Sequence, residues 1–180
     1  MVSEKLPTRE QALAFLRETG CRPNVIRHME AVSQLAVELA EDCRQRGYEV
    51  KVGLVEIGAL LHDIGRGRTH GVHHAVAGAE IAKQLGLPEQ VIRIIKRHVG
   101  GGITPREARK LGWPEDIYTP ETIEEKIVSY ADKLIEGSRR VPISKTIEKL
   151  SQELPPPAIE RMLRLHEEMR ALVGDRKCLP

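Results

Sequence analysis

The stretch Val52-Gly53-Leu54-Val55-Glu56-Ile57-Gly58-Ala59-Leu60-Leu61-His62-Asp63 decides how this chain is read. Val52 to Leu61 is almost wholly apolar, which predicts a short helix buried at the centre of a helical fold. A buried strand is the alternative for so short a run, but its alternation does not suit an exposed one. An imidazole and a carboxylate, His62 and Asp63, stand where that helix ends. Both side chains ligate metals, and a buried helix holds them against the core.

Outward from this run the periodicity stays helical. Thr8 to Thr19 predicts a first helix, closed by Gly20. Val25 to Cys43 carries Val25, Met29, Val32, Leu35, Ala36 and Leu39 on one face, with His28 on or beside it. Gly65 to Gly71 reads as a loop, after which His74 opens a helix to Leu85. Pro88 suits the first turn of a helix carrying Val91, Ile92, Ile94 and Ile95 up to His98, with Arg93, Lys96 and Arg97 as its solvated face. Thr104-Pro105-Arg106-Glu107 has the form of a capping box. Thr119-Pro120 is expected to start a helix with Ile123, Ile127, Tyr130, Ala131 and Leu134 inward and Asp132 near that face. Pro142 restarts a helix to about Leu154, and Ala158 to Val173 forms the last. The expected organisation is all-α and one domain over residues 1–180, with 22–139 as the metal-binding core and 142–174 as C-terminal helices.

Aromatic residues are only 3%, so Leu, Ile, Val and Ala must build the core, and there are few rings on which single-stranded nucleic acid would stack. The net charge of +2 comes without a basic tail, so no nucleic-acid partner is expected. No apolar stretch approaches the roughly 18 residues of a membrane span. Met1 to Lys5 holds no signal-peptide core. Cys21, Cys43 and Cys178 are an odd set without CxxC spacing and read as packing or surface thiols of a cytoplasmic protein.

His28, His62, Asp63, His74, His98 and Asp132 all lie at or beside apolar helical faces. Mixed imidazole and carboxylate donors suit Mn, Fe, Co, Ni or Zn, and no cysteine adjoins them as a structural zinc site would require. The ordered pattern His28, His62-Asp63, Asp132, with Leu61-His62-Asp63-Ile64-Gly65 and Ser129-Tyr130-Ala131-Asp132-Lys133-Leu134, resembles the HD-domain metal-dependent phosphohydrolase superfamily, in its HDIG subgroup. The resemblance spans roughly Arg22 to Arg139. It implies a single compact helical bundle in which His28, His62, Asp63 and Asp132 bind one divalent metal. His74 and His98 fit the places of the added histidines in two-metal subgroups, with Asp63 as the bridging carboxylate. His98 is followed by Val99-Gly100-Gly101-Gly102, without the Gly-Tyr-Pro of the superfamily's cyclic dinucleotide phosphodiesterases.

The resemblance further implies hydrolysis of a small phosphorylated substrate, a nucleotide, dinucleotide or related phosphoester. Water activated by one or two ions (Mn, Fe, Co, Ni, Zn or Mg) is the nucleophile, and Asp63 orients it and takes its proton. Arg66, Lys133 and Arg139 adjoin these ligands in sequence and are candidates for phosphate binding. Of the neighbouring histidines, His74 is preferred over His73 as ligand, since adjacent side chains point apart, and His70 is read as loop. A non-catalytic regulatory module and a di-iron oxygenase are the competing functions. The last helix, with Ile159, Met162, Leu163, Leu165 and Leu172, is read as packing, with a homo-oligomer contact as its alternative.

Overall fold

In the computed structural model, which describes residues 5–174, the apolar run is a helix with Leu54, Val55, Ile57, Ala59, Leu60 and Leu61 buried. In chain order the helices are α1 (Arg9–Glu18), α2 (Pro23–Gln45), α3 (Val52–Leu61), α4 (His74–Gln84), α5 (Glu89–Arg97), α6 (Pro105–Lys110), α7 (Ile123–Lys133), α8 (Ile143–Leu150) and α9 (Pro156–Val173). Apart from one antiparallel hairpin, β1 (Ile135–Glu136) with β2 (Arg139–Arg140), the described residues form an all-α fold.

Helix α3 is apolar apart from Glu56, which reaches the surface to pair with Arg9, because the rest of it is enclosed by α1, α2, α5 and α7. Full burial of each of its Leu and Ile side chains stabilises the fold by about 1.5–3 kcal/mol. Gly58 brings α5 close: a Cβ there would stand 2.5 Å from Ile94 Cδ1. Helix α9 packs on α2, α7 and α8, burying Met162, Leu165, Met169 and Val173. Its Arg161 pairs with Glu107 through two 2.8 Å contacts and donates to the Gly102 carbonyl.

Several boundaries differ from expectation. A 3₁₀ turn, Ile64–Gly67, occupies the start of the predicted Gly65 to Gly71 loop. Helix α7 begins at Ile123 rather than Thr119-Pro120, because Thr122 and Glu125 form the capping box. The preceding segment is instead tied to Ile103 by Ile103 N–H donating to the Tyr118 carbonyl. Helix α8 ends at Leu150, and one further turn closes with Leu154 N–H donating to the Leu150 carbonyl.

The basic face of α5 is not solvated as predicted. Lys96 and Arg97 are buried, covered by the segment leading to α7. Lys96 pairs with Asp116; Arg97 pairs with Glu121 at 2.7 Å and Glu125 at 2.9 Å; Arg93 faces Glu125 at 3.6 Å. Cys21 and Cys43 are buried free thiols, and burial pushes Cys43 up to about 11. Cys178 and residues 1–4 lie outside the described residues.

Candidate metal centre

Helix ends build this site. The last four carbonyls of an α-helix lack intrahelical partners. His62, capping α3, donates Nδ1–H to the Ala59 carbonyl at 2.6 Å, and His98, capping α5, donates Nδ1–H to the Ile95 carbonyl at 2.8 Å. His74, first in α4, repeats the i−3 contact with the Gly71 carbonyl at 2.8 Å. His28, from α2, donates to the Gly137 carbonyl at the hairpin tip, also at 2.8 Å. A ring nitrogen at that distance from a carbonyl must carry the proton, so Nε2 of each neutral ring is left as a bare acceptor.

These four Nε2 atoms converge on two carboxylates. His28 Nε2 lies 3.0 Å and His62 Nε2 3.4 Å from Asp132 Oδ1. His74 Nε2 lies 3.0 Å and His98 Nε2 3.5 Å from Asp63 Oδ1, while Asp63 Oδ2 faces His62 Nε2 at 3.8 Å. Asp63 therefore turns one oxygen towards each histidine set. His74 Nε2 and His98 Nε2 stand 3.0 Å apart, two lone pairs opposed. His62 Nε2 and Asp63 Oδ1 are buried without a hydrogen-bond partner among the described residues. Buried acceptors so arranged are costly unless a cation lies between them. The donor set fits a divalent metal on that ground, as two overlapping groups, His28, His62 and Asp132, and His62, Asp63 and His98.

The two carboxylates favour a positive charge at this point, whether proton or metal. Burial works against ionising Asp63, but His62, His74 and His98 outweigh it and hold the carboxyl well below its ordinary value. Burial likewise opposes Asp132, and the Lys133 ammonium with His28 and His62 overcomes it. His98 is lowered to about 4, chiefly by burial, so it is neutral at neutral pH and free to ligate. Burial lowers His62 too, but Asp63 and Asp132 reverse the sign and leave it raised.

The 3₁₀ turn sets the spacing between the two histidine sets. A Cβ on Gly65 would fall 1.9 Å from the His74 carbonyl and 2.6 Å from Gly78 N, so only glycine lets the turn rest on α4. His74, not His73, faces the cluster; His73 is exposed and accepts the Trp113 indole N–H at 2.9 Å. His70 is exposed, its carbonyl accepting from Arg66. Arg66 pairs with Asp63 and Lys133 with Asp132, placing two cations on the rim of the cluster. Arg139 is exposed on β2 and makes no ion pair with the cluster among the described residues.

Two contributors carry little signal in sequence. Buried Ser129 lies 3.0 Å from the His98 carbonyl and 3.1 Å from that of Gly100, so its hydroxyl anchors the end of α5 to α7. Gly137, at φ +62°, supplies the carbonyl that orients His28. A Gly-Ser pair between short polar strands is the only hairpin cue there.

A model of the HD domain matches residues 25–137. An uncharacterized protein of Methanocaldococcus jannaschii is 48% identical over 166 residues, 91% of this chain and 98% of that one. A tRNA (cytidine(56)-2'-O)-methyltransferase of Picrophilus torridus is 40% identical over 171 residues; the match takes 94% of this chain and 48% of that protein, so the chain spans about half its length. Among solved structures, the HD domain of L. monocytogenes phosphodiesterase PgpH, in complex with cyclic-di-AMP, aligns with a TM-score of 0.54 at 18% identity, over 92% of this chain and 98% of that one. The last is a likeness of fold.

Proposed function

Because the chain belongs to the HD domain family, we propose that its cluster holds divalent metal and hydrolyses a nucleotide, dinucleotide or related phosphoester. The observation that carries this reading is the pair of buried, unpartnered acceptors, His62 Nε2 and Asp63 Oδ1, among four imidazoles whose Nδ1 protons are already committed. His28, His62 and Asp132 would hold one ion, and His74 and His98 a second, with Asp63 contributing to both. A divalent metal supplies Lewis acidity, making water a nucleophile near neutral pH and offsetting phosphoryl charge.

The chain's own residues do the rest. The backbone carbonyls fix each imidazole in one tautomer, the orienting arrangement that surrounds ligating histidines generally. Asp63 is ionised throughout the neutral range. An ionised carboxylate beside the water would orient it by accepting its hydrogen bond and take its proton. Arg66 and Lys133, pinned on Asp63 and Asp132, present positive charge where the phosphoryl oxygens gain negative charge. The phosphodiesterase PgpH, whose HD domain has this fold, supports the phosphoester class. The methyl transfer named for the P. torridus protein is not carried over, since the match covers about half of it.

The test is turnover of nucleoside monophosphates, dinucleotides and bis(p-nitrophenyl) phosphate by metal-loaded protein. Metal-dependent turnover that falls at least ~100-fold in Asp63→Asn, with the fold kept, is expected. Retained metal without turnover would favour a binding module, and oxygen consumption with an organic substrate would favour oxygenase chemistry.

A further inference from the structure

A cleft of about 130 Å³ opens beside the cluster, between the β1–β2 hairpin and α8. Asp132, Lys133, Glu136, Lys145, Thr146 and Lys149 line it, with the apolar Ile135, Val141 and Leu150 between them. It is smaller than the roughly 300–1,000 Å³ of pockets that enclose a whole small molecule, and suits a single compact group.

Its charge says which group. Lys145 and Lys149 are one helical turn apart on α8, so both ammonium groups reach the same wall. Three lysines face two carboxylates there, and one carboxylate, Asp132, belongs to the metal cluster. That leaves Glu136 alone against Lys145 and Lys149, at 2.6 Å and 3.3 Å. All three side chains are largely solvent-exposed, at 44–63%. Ion pairs so exposed are weak, whereas a phosphate offers several charged acceptor oxygens at once and competes well for the same donors. Thr146 fixes the geometry, its hydroxyl donating to the Lys133 carbonyl at 2.6 Å and so tying α8 to the end of α7 beside Asp132.

We propose that this cleft binds a second phosphate of the substrate, beyond the one cut at the cluster, with Lys145 and Lys149 as its ligands and Glu136 occupying them in its absence. The inference rests on the phosphohydrolase reading and narrows it to substrates carrying at least two phosphates, such as 5′-phosphorylated dinucleotides.

The test is calorimetric binding to the metal-loaded full chain of phosphorothioate-linked pApA and ApA, which differ only in the terminal phosphate. Wild type should bind pApA about tenfold more tightly than ApA. Lys145→Gln with Lys149→Gln should bring that ratio towards one, and Glu136→Gln should widen it, because a competitor is removed. Opposite signs from neighbouring exposed substitutions cannot come from general loss of fold. A wild-type ratio near one, or a ratio unmoved by the lysine changes, overturns the proposal. Turnover of ordinary pApA and ApA is scored separately: none, with the ratio intact, would overturn the hydrolase reading and leave the phosphate cleft standing.

Discussion

Asp63 is the residue on which the site turns, because its two oxygens face different histidines. The glycine two places on matters almost as much. Gly65→Ala would press a methyl group into the His74 carbonyl, so the turn and α4 must part. Overpacking of this kind costs about 1–3 kcal/mol, and because it moves His74 the variant should also lose metal affinity, read by melting temperature and metal titration. Unchanged values for both would contradict the placement of His74. Ser129→Ala strips a hydrogen bond from two carbonyls beside His98 and should cost about 1–3 kcal/mol in chemical unfolding. Residue types and spacing made the six clustered side chains legible in the sequence. The choice of His74 over His73 was open to the opposed directions of neighbouring side chains, but the Trp113 contact that holds His73 aside comes from 40 residues away and has no local sign.

At the scale of elements, the ends of helices matter more than their middles. The apolar middles were readable from periodicity, and α3 most plainly. What covers a helix was not: the same pattern that makes Arg93, Lys96 and Arg97 look solvated is compatible with a loop folding over them. Arg97→Ala would leave buried Glu125 with its Thr122 and Glu121 backbone donors and only the more distant guanidinium of Arg93, at 3.6 Å. Breaking a buried pair costs about 3–5 kcal/mol, so this variant should melt well below wild type, whereas a loss under 1 kcal/mol would mean that the face is solvated after all. The α6–α9 junction gives a pH dependence. Burial raises Glu107, but the Thr104 backbone N–H, Arg161 and the Thr104 hydroxyl outweigh it and lower it from 4.5. A carboxyl lowered on folding contributes stability above its unfolded value that is lost as pH falls through its folded value. Wild type should therefore be more stable than Glu107→Gln at neutral pH, the gap closing as pH drops below 4.5. A gap constant with pH would contradict the ion pair. The hairpin, two residues per strand, is too short for periodicity to show.

For the whole molecule, the proposed metal site would link folding to metal binding. Three helices, α2, α4 and α7, and the two caps that follow α3 and α5 bring one or more donors each to a common point. A ligand that binds only the folded chain stabilises it by about 2.7 kcal/mol at a hundredfold excess over its dissociation constant. Chelation should lower the melting temperature, and a stoichiometric divalent metal should restore it. Among the described residues no helix is long and apolar enough to cross a membrane. The most direct test of the account is metal content after reconstitution with Mn, Fe or Co, by elemental analysis of wild type, His74→Ala and His98→Ala. Wild type should hold about two ions per chain, falling to about one in each variant. No bound metal, or a content identical in all three proteins, would contradict it.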